Sequence, residues 1–187
     1  VSRVVAGVLA VVALVVAVAL VASTDAGRRL FGTDADPVAT APIPLDTARF
    51  ASYDPYGDDG VEHEELLPYL HDGNDRTVWT TVRYASPSFG GLKTGLGVII
   101  DLGRTRSMSE LEVRGESAGW DAVVYVADGS PGELESWGEH VAQRSGIDGS
   151  TTFTFAPVEG RTVLLWITDL GDPAQVRIGE LVLRGPA

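Results

Sequence analysis

From Ala48 onward, apolar and polar residues alternate over short stretches, and turn-forming residues recur between these stretches. The pattern predicts strands at Arg49–Tyr53, Val78–Thr81, Gly97–Leu102, Glu110–Arg114, Ala122–Ala127, His140–Arg144, Thr151–Phe155, Thr162–Thr168 and Val176–Leu183. A short helical turn is predicted at Glu64–Leu70. About nine strands without intervening helices predict an all-β fold, in which two antiparallel sheets pack face to face.

The last predicted strand contains an irregularity. Val176 and Ile178 share one phase of the alternation, whereas Leu181 and Leu183 share the other. One extra residue at Gly179-Glu180 would return both pairs to the same face of the sheet. The sequence therefore predicts a β-bulge there.

The N-terminal part of the chain has a different pattern. The run Val4–Ala22 contains 19 residues without a charge, and as a helix it would be about 28 Å long, close to the hydrocarbon thickness of a bilayer. We therefore predict a single transmembrane helix, with residues 1–23 as an anchor; a cleaved signal peptide is the alternative. Residues 24–44 contain Pro37, Pro42 and Pro44 and predict a disordered linker. The sandwich domain is then expected at 45–187.

The net charge argues against one class of partner, and the absence of cysteine excludes disulfide bonds as a source of stability. The chain has 26 acidic and 14 basic residues and a formal net charge of -12, so its average field repels a nucleic-acid backbone. We therefore expect no nucleic-acid partner. Because the sequence has no cysteine, the apolar core, with or without a metal ion, must supply the stability.

The most informative stretch is His71–Thr81, with the sequence HDGNDRTVWTT. Asp72-Gly73-Asn74 is a turn signal, and Trp79 opens a β-prone run whose indole needs a core. The pattern D-G-x-x-x-T-x-W resembles the discoidin-like family, also called coagulation factor 5/8 type C, galactose-binding-like or family 32 carbohydrate-binding domains. The resemblance covers roughly Leu45 to Gly185 and implies an antiparallel jelly-roll β-sandwich.

The same resemblance implies a structural calcium ion. Its implied ligands are oxygen atoms, which hard cations prefer: the carbonyls of Tyr69, Asn74 and Gly179, the carboxylates of Asp72 and Glu180, and both oxygens of Thr77. In the alternative interpretation, Asp72 only caps its own turn and Glu180 is a solvated charge at a sheet edge.

A second resemblance concerns the orientation of the chain. The stretches DPYGDDGVEHEELLPYLHDGNDRTVWTT and FGGLKTGLGVIIDLG resemble the extracytoplasmic tails of membrane proteins from high-GC Gram-positive bacteria, either MurJ/MviN-type flippases or kinase-like proteins. This resemblance implies a single-pass protein of the cell membrane with its C-terminal domain outside. Charge alone favours the opposite orientation, because Arg3 precedes the apolar run whereas Arg28 and Arg29 follow it.

Three other apparent motifs are weak. Asp54–Gly60 has Tyr56 where an EF-hand loop needs its second acidic ligand, so a turn-rich acidic loop is expected. Gly90–Thr94 lacks the glycine that precedes the lysine of a Walker A loop. Glu62–Glu65 lacks the second histidine of a zinc helix, and we interpret it as a solvated acidic face.

The long segment Val82–Gly95 is the predicted ligand loop. It contains Arg83, Tyr84, Phe89 and Lys93, whose side chains suit stacking and hydrogen bonding. Sugar-binding members of the resembling family bind ligands on loops at one end of the sandwich. Trp120 and Trp137 are further candidates. Alternatively, these aromatic side chains close the ends of the sandwich core.

The predicted function is a non-catalytic, membrane-tethered, extracytoplasmic binding module. Its expected ligand is a cell-envelope glycan or a peptidoglycan-related molecule. An envelope protein as partner, with the domain acting as an interaction or regulatory part of a larger membrane protein, is the alternative. A carboxylate-based hydrolase is the least favoured interpretation, because no Ser-His-Asp arrangement is recognisable.

Overall fold

The computed structural model describes residues 39–57, 60 and 62–187. The predicted anchor at 1–23 and residues 24–38 of the predicted linker lie outside the described residues. Among the residues that are described, no helix is long and apolar enough to cross a membrane.

The described part of the chain contains eight strands and three short 3-10 helices. The strands are β1 (Thr40–Pro42), β2 (Arg49–Tyr53), β3 (Trp79–Thr80), β4 (Leu96–Gly115), β5 (Trp120–Ala127), β6 (Ala142–Ile147), β7 (Thr151–Asp169) and β8 (Arg177–Pro186). The 3-10 helices are Glu64–His71, Phe89–Gly91 and Leu134–Trp137. The first of these confirms the predicted helical turn, and all strand pairs are antiparallel.

The strands form two layers. The first layer contains β2, the start of β4, the end of β7, β5 and β6, hydrogen-bonded in that order. The second layer contains the start of β7, the end of β4 and β8, and β1 and β3 pair with opposite ends of β8. This arrangement confirms the predicted antiparallel β-sandwich.

Two long strands belong to both layers, which corrects the predicted division into shorter ones. The predicted strands at 97–102 and 110–114 are both parts of β4, and those at 151–155 and 162–168 are both parts of β7. The pairing of β4 with β7 shifts register between Asp101 and Arg106 and again between Met108 and Glu110. Such bulges let a strand bend and pass from one sheet into the other.

The folded unit begins earlier than the predicted domain boundary. β1 pairs with β8 from Thr40 to Pro42, and the Ile43 amide donates to the Leu183 carbonyl at 2.8 Å. Residues 39–44 of the predicted linker 24–44 therefore belong to the sandwich. Proline residues are compatible with this position because β1 lies at a sheet edge, where a missing donor is tolerated.

The main core lies between the layers. Trp79 is completely buried there, as predicted, among alternate residues of the long strands such as Val98, Leu111, Leu165 and Leu183. A smaller cluster covers the outer face of the first layer and contains Tyr53, Ile99, Trp137, Leu164 and Trp166. The end of β7 is consequently buried on both faces, which explains its continuous apolar run from Val163 to Ile167.

The predicted bulge in the last strand is confirmed. Arg114 pairs with Glu180 and Gly115 pairs with Ile178, so Gly179 is the extra residue. A Cβ atom at Gly179 would lie 2.9 Å from the Asp75 carbonyl oxygen, which explains the need for glycine there. The bulge thus brings β8 close to the turn that precedes β3.

Candidate functional site

The acidic turn at 72–77 is held by hydrogen bonds within the turn. The Asp72 carboxylate accepts from the Asn74 amide at 2.9 Å and from the Thr77 hydroxyl at 2.8 Å. The Thr77 hydroxyl also lies 2.7 Å from the Asn74 carbonyl oxygen. Gly73 has a φ of 74°, which glycine adopts without strain. The turn therefore gathers carboxylate, carbonyl and hydroxyl oxygens in a small space.

Glu180 joins this turn from the bulge in β8. Its Oε2 accepts from the Gly73 amide at 3.1 Å, and the residue is only 8% exposed. Burial raises the pKa of the Glu180 carboxyl, and the negative charges of Asp72 and Asp75 raise it further. Arg114 lies 3.6 Å from Asp75 and partly offsets this charge. The cluster thus holds more negative charge than its own cations neutralise.

The structure brings together most of the predicted metal ligands. Asp72, Asn74 and Thr77 share one turn, and Glu180 with Gly179 meets it from β8, 107 residues away from Gly73. Tyr69 precedes the turn in the 3-10 helix Glu64–His71, and its ring is partly exposed. The oxygen donors suit a hard cation such as Ca²⁺. Among the described residues, no cluster of three or more His, Cys, Asp or Glu side chains forms a metal site, so carbonyl oxygens would have to complete the coordination.

The predicted ligand loop Val82–Gly95 is anchored by a buried ionic cluster that the sequence analysis did not identify. The ammonium of Lys93 contacts the Asp54 carboxylate and lies 3.3 Å from Oε1 of Glu62. The exposed fractions of the three side chains are 6%, 3% and 2%, respectively. Lys93 also lies 4.9 Å from the centre of the Tyr84 ring, whose hydroxyl donates to Glu62.

These contacts correct one interpretation. Glu62 is not part of a solvated acidic face: its Oε2 accepts from the Val82 amide at 2.8 Å, and its carbonyl accepts from the Trp79 indole at 3.0 Å. Asp54 is buried as well, although Tyr56, two residues later, is exposed. The ammonium of Lys93, from a distant loop, offsets part of the negative charge of these two buried carboxylates.

Three of the four aromatic residues predicted to bind a ligand are buried, as is the Lys93 side chain, which corrects the prediction that they face a ligand. Phe89, Trp120 and Trp137 are 1%, 1% and 3% exposed, and all three pack in the apolar clusters. Phe89 packs edge to face against Tyr84 with 5.4 Å between ring centres. The alternative interpretation, in which these rings close the sandwich core, holds for Phe89 and Trp120, whereas Trp137 packs in the smaller cluster on the outer face of the first layer.

Two predicted residues and one unpredicted residue remain at the surface of this end. Arg83 is exposed and Tyr84 is partly exposed. Tyr56, which the sequence analysis treated only as part of an acidic loop, is 46% exposed and packs edge to face on Trp166 with 6.3 Å between ring centres. The local signal that could have indicated Tyr56 was its position in a Pro-Tyr-Gly turn, since turn residues project outward.

The geometry argues against acid-base chemistry at the Asp54 and Glu62 pair. The two carboxylates share one ammonium group, and protein covers both of them. Two cavities, of about 380 and 310 Å³, are lined by other residues, such as Arg144 and Arg104. The cluster therefore suits fixing the ligand loop better than reacting with a substrate.

The sequence matches no protein-family model and no curated protein. Solved structures nevertheless share its fold. The family 32 carbohydrate-binding module of NanJ from Clostridium perfringens, solved in complex with galactose, is 15% identical with a TM-score of 0.57, covering 78% of this chain and 99% of that chain.

Two further structures give a similar result. Chitosan-binding module 1 from a chitosanase/glucanase of Paenibacillus sp. IK-5 is 16% identical with a TM-score of 0.56, covering 75% of this chain and 96% of that chain. The family 32 module of AlyQ, in complex with 4,5-unsaturated mannuronic acid, is 15% identical with a TM-score of 0.52, covering 76% and 97%. At this level of identity, the likeness shows a common fold only.

Proposed function

We propose that the described domain is a non-catalytic module that binds a cell-envelope glycan. The observation that carries the proposal is the ligand loop Val82–Gly95, which presents Arg83 to solvent while Lys93 fixes the loop from inside. A loop held in this way loses little conformational entropy when a ligand binds. The fold that the chain shares with several sugar-binding modules supports the same conclusion by analogy.

The proposed binding surface consists of Arg83, Tyr84 and Tyr56. The guanidinium of Arg83 can donate to sugar hydroxyls or carboxylates, and the exposed ring of Tyr56 can stack on the C–H face of a sugar. Tyr84 supports the surface from below, because its hydroxyl is bound to the buried Glu62. Phe89, Trp120 and Trp137 take no direct part in this proposal.

A glycan and peptidoglycan-fragment array, probed with the full chain in a non-ionic, sugar-free detergent, tests the proposal. Retention of a specific glycan class is expected. Arg83→Ala should weaken that retention about tenfold, because one charge-assisted hydrogen bond contributes about 1.5 kcal/mol or more. Tyr56→Ala should weaken it as well, through the lost stacking surface.

The matched control is Arg177→Ala, which removes an exposed arginine on β8. All three variants should keep the melting temperature of the unmodified protein, because each removes an exposed side chain. Equal loss of retention in Arg177→Ala would show that overall charge, and not the proposed surface, holds the glycan. No glycan retained by the unmodified protein would contradict the proposal.

A protein partner is the second candidate function, and one observation favours it. Leu92 and Val82 lie in the same loop and are 79% and 39% exposed, which is unusual for large aliphatic side chains. If an envelope protein is the partner, Leu92→Ser should abolish its capture, whereas a glycan interaction should tolerate this substitution.

We further propose that Ca²⁺ binds at the acidic turn as a structural ion. Asp72, Asn74, Thr77, Gly179 and Glu180 would supply oxygen ligands, together with the Tyr69 carbonyl. Support comes from the excess negative charge of the cluster and from the raised pKa of Glu180, whose buried carboxylate would be stabilised by a cation. The ion would join β8 to the turn before β3.

The cellular location that we propose is the outer face of the cell membrane, with residues 4–22 as the single membrane-spanning segment. The support is the length and apolarity of that run. A chain anchored in this way should stay in the membrane pellet after carbonate extraction, and protease should remove its domain from wall-stripped cells. Release into the carbonate supernatant would contradict the anchor, and protection from protease would contradict the orientation.

A further inference from the structure

At the end of the sandwich opposite to Lys93, a cavity of about 310 Å³ is lined by two arginines, Arg104 and Arg106. Because Gly103 lies six residue steps along β4 from Gly97, this cavity lies about 20 Å from the ligand loop. It is therefore a separate site, and its volume is in the range of small-molecule pockets.

Arg104 lies in a bulge of β4 that is fixed on both sides, and Arg106 directly follows this bulge. Asp101 pairs with Thr162 and Arg106 pairs with Gly160, so residues 102–105 of β4 face a single residue of β7, Arg161. The Gly103 amide donates to Asp101 at 2.8 Å at one side of the bulge. At the other side, the Thr105 hydroxyl donates to Asp128 at 3.0 Å. The bulge is thus held in place while it presents Arg104 outside the strand ladder.

Two nearby carboxylates, those of Asp101 and Asp128, accept hydrogen bonds from other residues. Asp101 receives two hydrogen bonds from Arg161, at 2.8 and 2.6 Å, and this pairing lowers the pKa of Asp101 to about 2. Asp128 accepts from Thr105. Within the described part of the chain, Arg104 and Arg106 have neither a hydrogen bond nor an ion pair from their guanidinium groups. Two unpaired arginines in one concavity are notable in a chain with 26 acidic and 14 basic residues.

The rest of the cavity wall contains both apolar and polar side chains. Ile43 and Leu102 give it an apolar side, and Ile43 is held against the core. Asp46 and Thr47 give it a polar side that can accept hydrogen bonds from hydroxyl groups. A bare inorganic anion would meet the negative charge of Asp46, whereas a ligand with both an anionic group and hydroxyls would match every part of the wall.

We propose that this cavity binds a small hydroxylated anion, with its carboxylate or phosphate group between Arg104 and Arg106. The planar guanidinium forks match the oxygen geometry of such groups. Hydroxyls of the ligand donate to Asp46, and its carbon skeleton contacts Ile43 and Leu102. A uronic acid residue and a glycerol or sugar phosphate share this chemistry. The cavity is independent of the glycan site at Arg83.

Ligand-observed NMR titrations of the full chain, in a non-ionic detergent without sugar groups, test the proposal. The probes are glucuronate and glycerol phosphate as the two sources of the anion, glucose as the neutral analogue of glucuronate, and inorganic phosphate. At least one of the first two should bind with a millimolar or better dissociation constant. Glucose and inorganic phosphate should bind at least about tenfold more weakly, because each lacks one of the two matched features.

Arg104→Gln and Arg106→Gln should each weaken binding of the preferred anion about tenfold or more. Arg177→Gln, which removes an equal charge from the opposite end of the sandwich, should leave binding unchanged. Equal weakening in Arg177→Gln, equal binding of glucose, or stronger binding of inorganic phosphate would each overturn the proposal. So would failure of both hydroxylated anions to bind while the protein shows its normal melting temperature.

Discussion

Two acidic clusters flank the 3-10 helix Glu64–His71, and the repulsion between their carboxylates is relieved differently in each. Before the helix, Asp54 and Glu62 are buried on the ammonium of Lys93. After the helix, Asp72 and Glu180 have no lysine, and the nearby Arg114 contacts Asp75 instead. The cation of the first cluster is a residue of the protein, Lys93. The second cluster has negative charge and oxygen donors that suit a metal cation from solution.

Burial alone therefore does not identify a ligand site. Both clusters hold a buried glutamate, since Glu62 is 2% exposed and Glu180 is 8% exposed. Burial raises the pKa of the Glu180 carboxyl, and the Gly73 amide and Arg114 offset this only in part. A cation in direct contact with the carboxylates, such as Lys93, therefore distinguishes the structural cluster from the candidate metal site.

The largest effect is expected from removing the internal cation. Lys93→Met leaves two buried carboxylates without a counterion, which should lower the free energy of unfolding by about 3–5 kcal/mol. Urea unfolding followed by tryptophan fluorescence measures this change. Arg177→Gln is the control, since loss of an exposed charge should cost less than about 0.5 kcal/mol.

A triple variant sharpens the same experiment. Asp54→Asn and Glu62→Gln, added to Lys93→Met, remove both charges and should recover part of the lost stability. A loss below about 1 kcal/mol in Lys93→Met would place the cluster among ordinary surface ion pairs and contradict its structural role.

The second-largest expected effect is the stabilisation by calcium of the cluster that contains Asp72 and Glu180. If Ca²⁺ binds only the folded state, an ion concentration a hundredfold above the dissociation constant adds about 2.7 kcal/mol, which corresponds to several degrees in melting temperature. Asp72→Ala should remove most of this increase. Asp54→Asn should lower stability but keep the increase, because its cluster already holds a cation.

Differential scanning fluorimetry with calcium and with a chelator measures the change. An unchanged melting temperature after chelation, in a protein that elemental analysis shows to be free of a trapped ion, would contradict the calcium proposal. Loss of the calcium response in Asp54→Asn would contradict the distinction between the two clusters.

The smallest effect concerns the protonation of Glu180. Its folded-state pKa is raised above the unfolded value, so the folded state binds the proton more tightly and the ionised carboxylate destabilises the fold. In calcium-free protein at neutral pH, Glu180→Gln should therefore raise the melting temperature, since the amide oxygen can still accept from Gly73. This gain should shrink as the pH falls through the raised pKa.

Melting curves of the two proteins at several pH values in the presence of a chelator provide the test. A gain in melting temperature that grows as the pH falls would show that the ionised carboxylate stabilises the fold, which is the opposite of the expected sign. With calcium added, the unmodified protein should melt at a higher temperature than Glu180→Gln, because the amide is a weaker calcium ligand than the carboxylate.

The features that the sequence predicted correctly depend on near neighbours in the chain. The alternation of apolar residues defined the strand β2 and the centre of β5, and the phase change in β8 located the bulge at Gly179. The turn at Asp72-Gly73-Asn74 is likewise formed by its own side chains. Such patterns can be recognised in a sequence because successive side chains along a strand point to opposite faces of the sheet.

The continuity of β4 and β7 across both layers was decided by the tertiary structure. The sequence predicted two strands in each, because turn-forming residues such as Gly103 and Gly160 separate the apolar stretches. In the folded chain, a bulge that contains Gly103 in β4 and a second register shift at residues 155–157 of β7 bend these strands without ending them. A bulge within one strand and a turn between two strands use the same types of residue. Only the pairing with the neighbouring strand shows which of the two is present.

The exposure of aromatic side chains was also decided by the tertiary structure. Phe89, Trp120 and Trp137 occur near glycine or serine, yet each is buried in an apolar cluster. Tyr56 occurs in a similar context and is exposed. Whether a ring in a loop turns inward depends on the space left by distant strands, which local sequence does not encode.

The buried ionic cluster of Asp54, Glu62 and Lys93 shows most clearly what the sequence determined and what only the tertiary structure decided. The sequence determined that Lys93 is the single lysine among many carboxylates. Its partners Asp54 and Glu62 lie 39 and 31 residues away, and many other acidic residues were equally available in the sequence. Only the folding of the chain, which places the ends of β2 and of the ligand loop side by side, selected these two and excluded water from all three charges.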